Sequence, residues 1–114
     1  MKFLWTTLHV NNLEASLDFY QNRLGLALDT LYDGPSRMAF LGDGETKVEL
    51  IEGHADSSRS ISLGFLVENL DSWRKTLTDC QPSEIMAPNP ELRFCFFVDP
   101  DGYLIQLVEI GQND

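Results

Sequence analysis

The sequence has little of three things: long apolar runs, cysteine and positive charge. No stretch of the 114 residues approaches the roughly 18 to 20 consecutive apolar residues of a transmembrane helix. Met1–Trp5 leads into alternating polar residues, where a signal peptide would continue with its apolar segment. The two cysteines, Cys80 and Cys95, lie outside any C-x-x-C spacing, which argues against a disulfide framework. We therefore expect a soluble, cytoplasmic protein with reduced thiols.

Positive charge is scarce because Lys and Arg number 8 against 18 Asp and Glu, for a net charge of −10. Such a surface repels phosphate backbones and anionic lipids, so we expect neither nucleic acid nor a membrane as a partner. The same charge favours solubility and attracts cationic ligands. With 43% hydrophobic residues, the composition is that of a globular protein.

The sequence contains an internal repeat at half its length. A shift of 57 residues superposes VNNLE, residues 10–14, on VENLD, residues 67–71. The same shift superposes VEL, residues 48–50, on IQL, residues 105–107. Two matches at one offset and in the same order predict a duplicated module.

The repeat also predicts the domain organisation. The length suits a single domain over residues 1–114. We expect the first module at about 1–52, a small polar linker at 53–59 and the second module at about 60–110.

Each module is predicted to be a strand, a helix and three more strands. Alternating residues indicate a first strand over 3–10, and apolar spacing indicates a helix between the N-cap Asn12 and Gly25. In the second module, Asn69 caps a helix that weakens near Cys80. The remaining predicted strands are 26–32, 37–41, 46–51, 60–67, 93–98 and 104–110, and prolines interrupt a weak strand at 88–90. The fold class is α+β.

One helix covers only one face of each predicted sheet. The other face must meet the repeat copy, a partner subunit or a ligand, so we expect a cavity between curved sheets. Strand alternation assigns the residues of this inner face. They are Trp5, Thr7 and His9, then Ser62, Gly64 and Leu66, and finally Glu49 and Gln106.

Two segments resemble the signatures of the vicinal oxygen chelate superfamily, which includes glyoxalase I, extradiol dioxygenases and bleomycin-resistance proteins. They are LHVNNLEASLDFY, residues 8–20, and DPDGYLIQL, residues 99–107. The resemblance extends over nearly the whole chain. It implies paired βαβββ modules, a homodimer and a ligand site enclosed by the sheets. Whether the modules pair within one chain or swap across the dimer stays open.

Enzymes of that superfamily hold a divalent metal through one residue on the first strand and one on the last strand of each module. Carried over by this resemblance, the positions are Trp5, Glu49, Ser62 and Gln106. Only Glu49 is a strong ligand, because an indole offers no lone pair and a hydroxyl and a carboxamide are weak neutral donors. We therefore expect no metal cofactor. The alternative is a divalent ion such as Zn or Ni near Glu49.

Several residues keep two interpretations. Trp5 is either a core aromatic or a stacking wall for a planar or cationic ligand. His9 lies roughly 13 Å along the strand from Trp5 and is expected to be a hydrogen-bonded cavity histidine. Glu49 is a proton acceptor, an anchor for a cationic ligand, or the ion-pair partner of Arg37 or Lys47.

The remaining charged candidates are less informative. Alternation places Glu109 away from Gln106, and His54 falls in the expected linker, where we expect it to be exposed. Strand register does not decide whether Arg37 and Arg93 line the cavity.

These features favour a metal-independent small-molecule-binding protein of the glyoxalase and bleomycin-resistance type, with a cationic drug as a candidate ligand. Its proposed contacts are Trp5, Thr7, His9, Glu49, Ser62 and Gln106. The alternative is a metal-dependent glyoxalase I-like lyase or isomerase in which Glu49 or His9 moves a proton. A third hypothesis is a dimerisation module whose cavity is filled by Trp5. The sequence leaves the question of enzyme activity, and the ligand, open.

Overall fold

The computed structural model describes residues 3–56 and 61–111. The chain divides into two compact units, Met1–Asp56 and Ser57–Asp114, which are called the first and second module. Each contains a four-stranded mixed sheet and a helical segment in the order βαβββ. The predicted α+β class is confirmed. Residues 57–59 of the expected linker at 53–59, and the expected start of the second module at 60, lie outside the described residues.

The first module has its strands in the spatial order β1-β4-β3-β2. β1 runs parallel to β4, and the other pairs are antiparallel. The elements are β1 Trp5–Val10, α1 Leu13–Leu17, β2 Leu28–Asp33, β3 Arg37–Leu41 and β4 Lys47–Glu52, and α1 continues as a π-helical segment over Asp18–Arg23.

The predicted cap and stop of the first helix are both present. Asn12 is extended, and its side-chain oxygen accepts a hydrogen bond from the Ala15 amide at 2.9 Å. The Leu24 amide donates to the Phe19 carbonyl five residues earlier, which closes the π-helical turn. Gly25 then takes a φ of 88°, a left-handed conformation that costs glycine little.

The second module repeats this topology, with the spatial order β5-β8-β7-β6. Asn69 caps its helix through a 3.0 Å bond from the Ser72 amide. The short strand Met86–Asn89 forms despite Pro88. It lies at the edge of the sheet, where the missing backbone N–H of proline is tolerated. The elements are β5 Ser62–Leu66, α2 Leu70–Thr76, β6 Met86–Asn89, β7 Leu92–Val98 and β8 Leu104–Ile110, with a 3-10 turn at Thr78–Cys80.

Each module has its own core between the helix and one face of the sheet. Fully buried residues alternate along the central strands, as a one-sided sheet requires. They include Val10, Leu13, Tyr20, Leu41 and Leu50 in the first module, and Leu70, Leu77, Phe97, Ile105 and Leu107 in the second.

Cys80 and Cys95 are buried and form no disulfide within the described residues, and burial raises the pKa of the Cys95 thiol, which favours its protonated form. Within residues 3–56 and 61–111, no helix is long and apolar enough to cross a membrane.

Candidate functional site

The sheet register shows which side chains share the inner face, the face of each sheet opposite its helix. In the first module, Thr7 pairs with Glu49, and Glu49 pairs with Phe40 on the next strand. Paired residues point to the same side of a sheet. Leu8 and Val10 are buried on the opposite face. Trp5, Thr7 and His9 therefore lie on the inner face, where alternation predicts them.

Glu49 is held by its strand neighbour. Its residue is only 8% exposed, and the Thr7 hydroxyl donates to Glu49 Oε1 at 2.5 Å. The bond uses acceptor capacity on one of the two carboxylate oxygens.

An ion pair with Arg37 or Lys47 is one of the three interpretations of Glu49, and among the described residues neither basic side chain pairs with it. Arg37 pairs with Asp33 in the β2–β3 register and belongs to the helix-covered face, together with Ala39. The Lys47 ammonium donates to the Gly44 carbonyl at 2.9 Å. Alternation along β3 puts Arg37 and Phe40 on opposite faces, but it does not show which of the two faces is the inner one. The pairing of Phe40 with Glu49 assigns Phe40 to the inner face and Arg37 to the helix-covered face.

Trp5 lies at the start of β1 and is not a core residue, because it is 45% exposed. Its ring packs edge to face with Phe40, with the centroids 5.0 Å apart. Phe40 also packs edge to face with Tyr32 at 6.4 Å. The three rings form an aromatic wall at one end of the inner face, which agrees with the stacking interpretation of Trp5.

A pocket of about 320 Å³ lies against this wall and is called the Trp5 pocket. Besides aromatic and aliphatic side chains, it is lined by two carboxylates and one ammonium group. The lining residues are Leu4, Trp5, Asp29, Thr30, Tyr32, Phe40, Glu45 and Lys47. Apart from Trp5, sequence reasoning placed none of them in the site. Phe40 faces Glu49 only in the observed register of β3 and β4, because pairing the predicted strand ends at 41 and 46 would set it opposite Lys47.

The second module has a simpler inner face. Gly64 pairs with Gln106, and Gln106 pairs with Phe96 on the next strand. A methyl group added at Gly64 would lie 3.5 Å from Gln106 Oε1, so the carboxamide extends over the glycine. Ser62, two residues earlier on the same strand, is exposed.

His9 lies two residues beyond Thr7 on the same face and opposite Ile51. The side chain is exposed, as is that of His54. The exposure of His54 confirms its prediction. The cavity role of His9 stays a prediction.

On the helix-covered side of the first module, a group of charged residues ties the helix to the last strand. Glu52 Oε2 accepts the Leu13 amide at 3.0 Å and lies 3.5 Å from Arg37 Nη1. Arg37 Nη2 reaches Glu14 at 2.6 Å. The Arg37 guanidinium thereby holds the pKa of the Glu14 carboxyl below its ordinary value of 4.5. This group is called the first carboxylate clamp.

The second module has the matching group, the second carboxylate clamp. Glu109 Oε2 accepts the Leu70 amide at 3.1 Å, and Glu109 Oε1 lies 2.8 Å from Arg93 Nη1. Arg93 Nη2 reaches Asp71 at 3.3 Å. These bonds place Arg93 and Glu109 on the helix-covered side, so both arginines are structural and Glu109 faces away from Gln106, as predicted.

The residues at the four carried-over positions do not fit a divalent metal ion. Trp5 offers no lone pair and packs on Phe40, and the Thr7 hydroxyl is bonded to Glu49. Ser62 and Gln106 add only neutral oxygens, which bind such ions weakly. Across residues 3–56 and 61–111, no group of three or more His, Cys, Asp or Glu is placed to hold a metal. The absence of a cofactor nevertheless stays a prediction.

Comparison with known proteins gives the family. A family model of the Glyoxalase/Bleomycin resistance protein/Dioxygenase superfamily matches residues 2–107. A lactoylglutathione lyase of Neisseria meningitidis is 32% identical, over all of this chain and 94% of that relative.

Solved structures show the same fold. The trypanothione-dependent glyoxalase I of Leishmania major matches with a TM-score of 0.73 at 26% identity, over 96% of this chain and 86% of that chain. TnmS3, an antibiotic binding protein from Streptomyces, matches in fold with a TM-score of 0.70 at 20% identity, over 97% of both chains. The chain therefore belongs to the glyoxalase, bleomycin resistance protein and dioxygenase superfamily.

Proposed function

We propose that this protein binds and sequesters a small organic molecule without a catalytic metal ion, with a cationic drug as a candidate ligand. The observation that carries the proposal is the Trp5 indole, which stands at a carried-over metal position and packs on Phe40. An aromatic ring there supplies a stacking surface and no metal ligand. The net charge of −10 favours a cation.

The proposed ligand contacts remain those expected from strand phase. Within the first module, Thr7 and Glu49 contribute a hydrogen-bonded carboxylate and Trp5 an aromatic surface. The full set is Trp5, Thr7, His9, Glu49, Ser62 and Gln106. The antibiotic binding protein that shares this fold supports sequestration by analogy only.

Metal titration tests the proposal directly. Protein purified without a histidine tag and treated with a chelator is titrated calorimetrically with Ni, Zn, Co and Mn. We expect no stoichiometric binding, and equal traces for wild type and Glu49→Gln. One ion bound per chain in the wild type and lost in Glu49→Gln would overturn the proposal.

A metal-dependent lyase is the second candidate, because Glu49 retains one carboxylate and the Neisseria relative is named a lactoylglutathione lyase. In that case Glu49 would be a metal ligand, and Glu49 or His9 would be the proton acceptor. Formation of lactoylglutathione from methylglyoxal and glutathione, followed with and without each metal, separates the two candidates. Turnover that requires metal and Glu49 would establish the lyase.

We also propose that the protein forms a homodimer and that it is located in the cytoplasm. Light scattering on the purified protein tests the dimer. A mass equal to that of one chain, at all concentrations used for the binding experiments, would contradict the homodimer.

A further inference from the structure

We propose that the Trp5 pocket is the binding site of a planar organic cation, a proposal that rests on the small-molecule function above and assigns it a place and a ligand class. The pocket lies at the end of the inner face where β1 and β4 begin, beside Trp5 and Lys47. Glu49 is not among its lining residues. The site is therefore displaced along the strands from the pair formed by Thr7 and Glu49.

The aromatic wall provides the surface for a flat ligand. Trp5 is 45% and Tyr32 is 52% exposed, and each packs against Phe40 nearly at right angles. The contact with Phe40 covers part of each ring and leaves about half of both side chains accessible. A planar group can stack on this surface, and a positive charge near the rings is favoured by their quadrupoles.

A strand irregularity brings the first carboxylate to the pocket. Leu28 pairs with Leu41, but Thr30 pairs with Phe40, so β2 advances two residues while β3 advances one. Asp29 is the extra residue of this bulge. In a regular strand Asp29 and Thr30 would point to opposite faces, whereas here both line the pocket. Bulges of this kind redirect side chains and are frequent beside binding sites.

The charge of the lining favours a cation over an anion or a neutral molecule. Asp29 and Glu45 contribute two carboxylates against one ammonium, that of Lys47. The Lys47 ammonium already donates to the Gly44 carbonyl at 2.9 Å. The Thr30 hydroxyl donates to Asp29 Oδ2 at 3.1 Å, which orients this carboxylate beside the wall.

The size of the pocket limits the ligand. Its volume of about 320 Å³ lies at the lower end of the roughly 300 to 1,000 Å³ usual for ligand sites. A fused two-ring cation fits within such a volume, whereas larger drugs would extend from it along the inner face. We therefore select 1-methylquinolinium as the probe.

Calorimetric titration compares this cation with two flat molecules of the same size, neutral quinoline at pH 8 and anionic naphthalene-1-sulfonate. We expect one 1-methylquinolinium per chain, bound at least 10-fold more tightly than either comparison compound. Raising the salt concentration should weaken the binding of 1-methylquinolinium but not that of either comparison compound. Equal binding of all three probes would overturn the proposal.

Variants assign the binding to the pocket. We expect the Asp29→Asn, Glu45→Gln double variant to weaken 1-methylquinolinium binding about 10-fold. The matched control, Asp18→Asn with Glu91→Gln, removes two exposed carboxylates outside the pocket and should bind as the wild type does. Equal losses in both double variants would mean that net charge alone attracts the probe, and would overturn the site.

Trp5→Ala should lose binding, and Trp5→Phe should retain an intermediate affinity with an unchanged melting temperature. If both bind as tightly as the wild type, the wall is not the binding surface. Binding that depends on Glu49 but not on Asp29 and Glu45 would sink this pocket and leave the proposed function intact. A bound catalytic metal would instead sink the proposed function.

Discussion

The two modules are alike on the side covered by the helix and different on the inner face. Both helices begin at an asparagine cap, Asn12 or Asn69, and in both a glutamate of the last strand accepts a helix amide. Glu52 and Glu109 are related by the same 57-residue shift as the caps. The helix-covered side therefore repeats its hydrogen bonds as well as its sequence.

The inner faces share positions but not chemistry. Thr7 and its bonded carboxylate in the first module correspond to Gly64 and a carboxamide in the second. Trp5, which begins the aromatic wall, corresponds to Ser62. The aromatic wall and the bonded carboxylate, on which the proposed ligand site depends, thus both belong to the first module.

The helical segments show how far the likeness extends. Residues 13–23 and 70–80 are equally long, yet the first ends in a π-helical turn and the second in a 3-10 turn. The 3-10 turn of the second segment ends at Gln81, directly before Pro82, whose backbone has no N–H to continue the turn. The two segments therefore share their capped starts but differ in winding and in their ends.

The largest expected effect tests the likeness of the two cores. Leu50→Ala and Leu107→Ala should each lower the free energy of unfolding by about 3 kcal/mol, because both side chains are fully buried at matching positions. Urea unfolding followed by circular dichroism measures both. The exposed Leu31→Ala is the control and should change stability by less than about 0.5 kcal/mol. A cost confined to one module would break the comparison.

The carboxylate clamps are expected to differ in strength. The Glu109 side chain is 11% exposed and that of Glu52 is 30% exposed. Glu109→Ala should therefore cost about 2 kcal/mol, and Glu52→Ala about 1 kcal/mol, because the more buried carboxylate leaves its partners less hydrated. Glutamine at either position keeps an acceptor for the helix amide and should cost less. Equal losses would show that burial does not set the difference.

Much of the fold could be predicted from the sequence because its signals are local or repeated. The caps at Asn12 and Asn69, the stop at Gly25 and the alternation of β1 each depend on a few adjacent residues. Strand ends were less accurate, since β1 begins at Trp5 and not at Phe3.

The site was less predictable because it depends on strand pairing. The bond between Thr7 and Glu49 joins residues 42 positions apart, and nothing near either residue specifies the partner. Asp29 reaches the pocket only through the bulge in β2, which regular alternation does not predict. Strand alternation thus predicts which residues lie on the inner face, but it does not predict which residues line the Trp5 pocket.

A pH titration tests the ion pair between Glu14 and Arg37 in the first carboxylate clamp. The pKa of Glu14 is lowered by Arg37, so this carboxyl contributes stability that is present above its ordinary value of 4.5 and is lost as the pH falls below it. We expect Glu14→Gln to flatten the fall in melting temperature below pH 4.5, and Arg37→Met to flatten it at least as much, because Arg37 also contacts Glu52. If the double variant flattened it further than either single variant, the two residues would not act as a pair.

The smallest effect concerns the two helix ends, where the left-handed residue is Gly25 in the first module and Gln81 in the second. The φ of 55° at Gln81 costs a side-chain residue roughly 1 to 2 kcal/mol. Gln81→Gly relieves this cost but raises the entropy of the unfolded chain, so we expect a net gain of about 0.5 kcal/mol. Gly25→Ala should lose about 1 kcal/mol, although a methyl group there meets no atom within 4 Å. Opposite signs in urea unfolding would show that the left-handed backbone angle, and not packing, sets the cost of a side chain at both ends; a loss at Gln81 would mean that its side chain stabilises the turn.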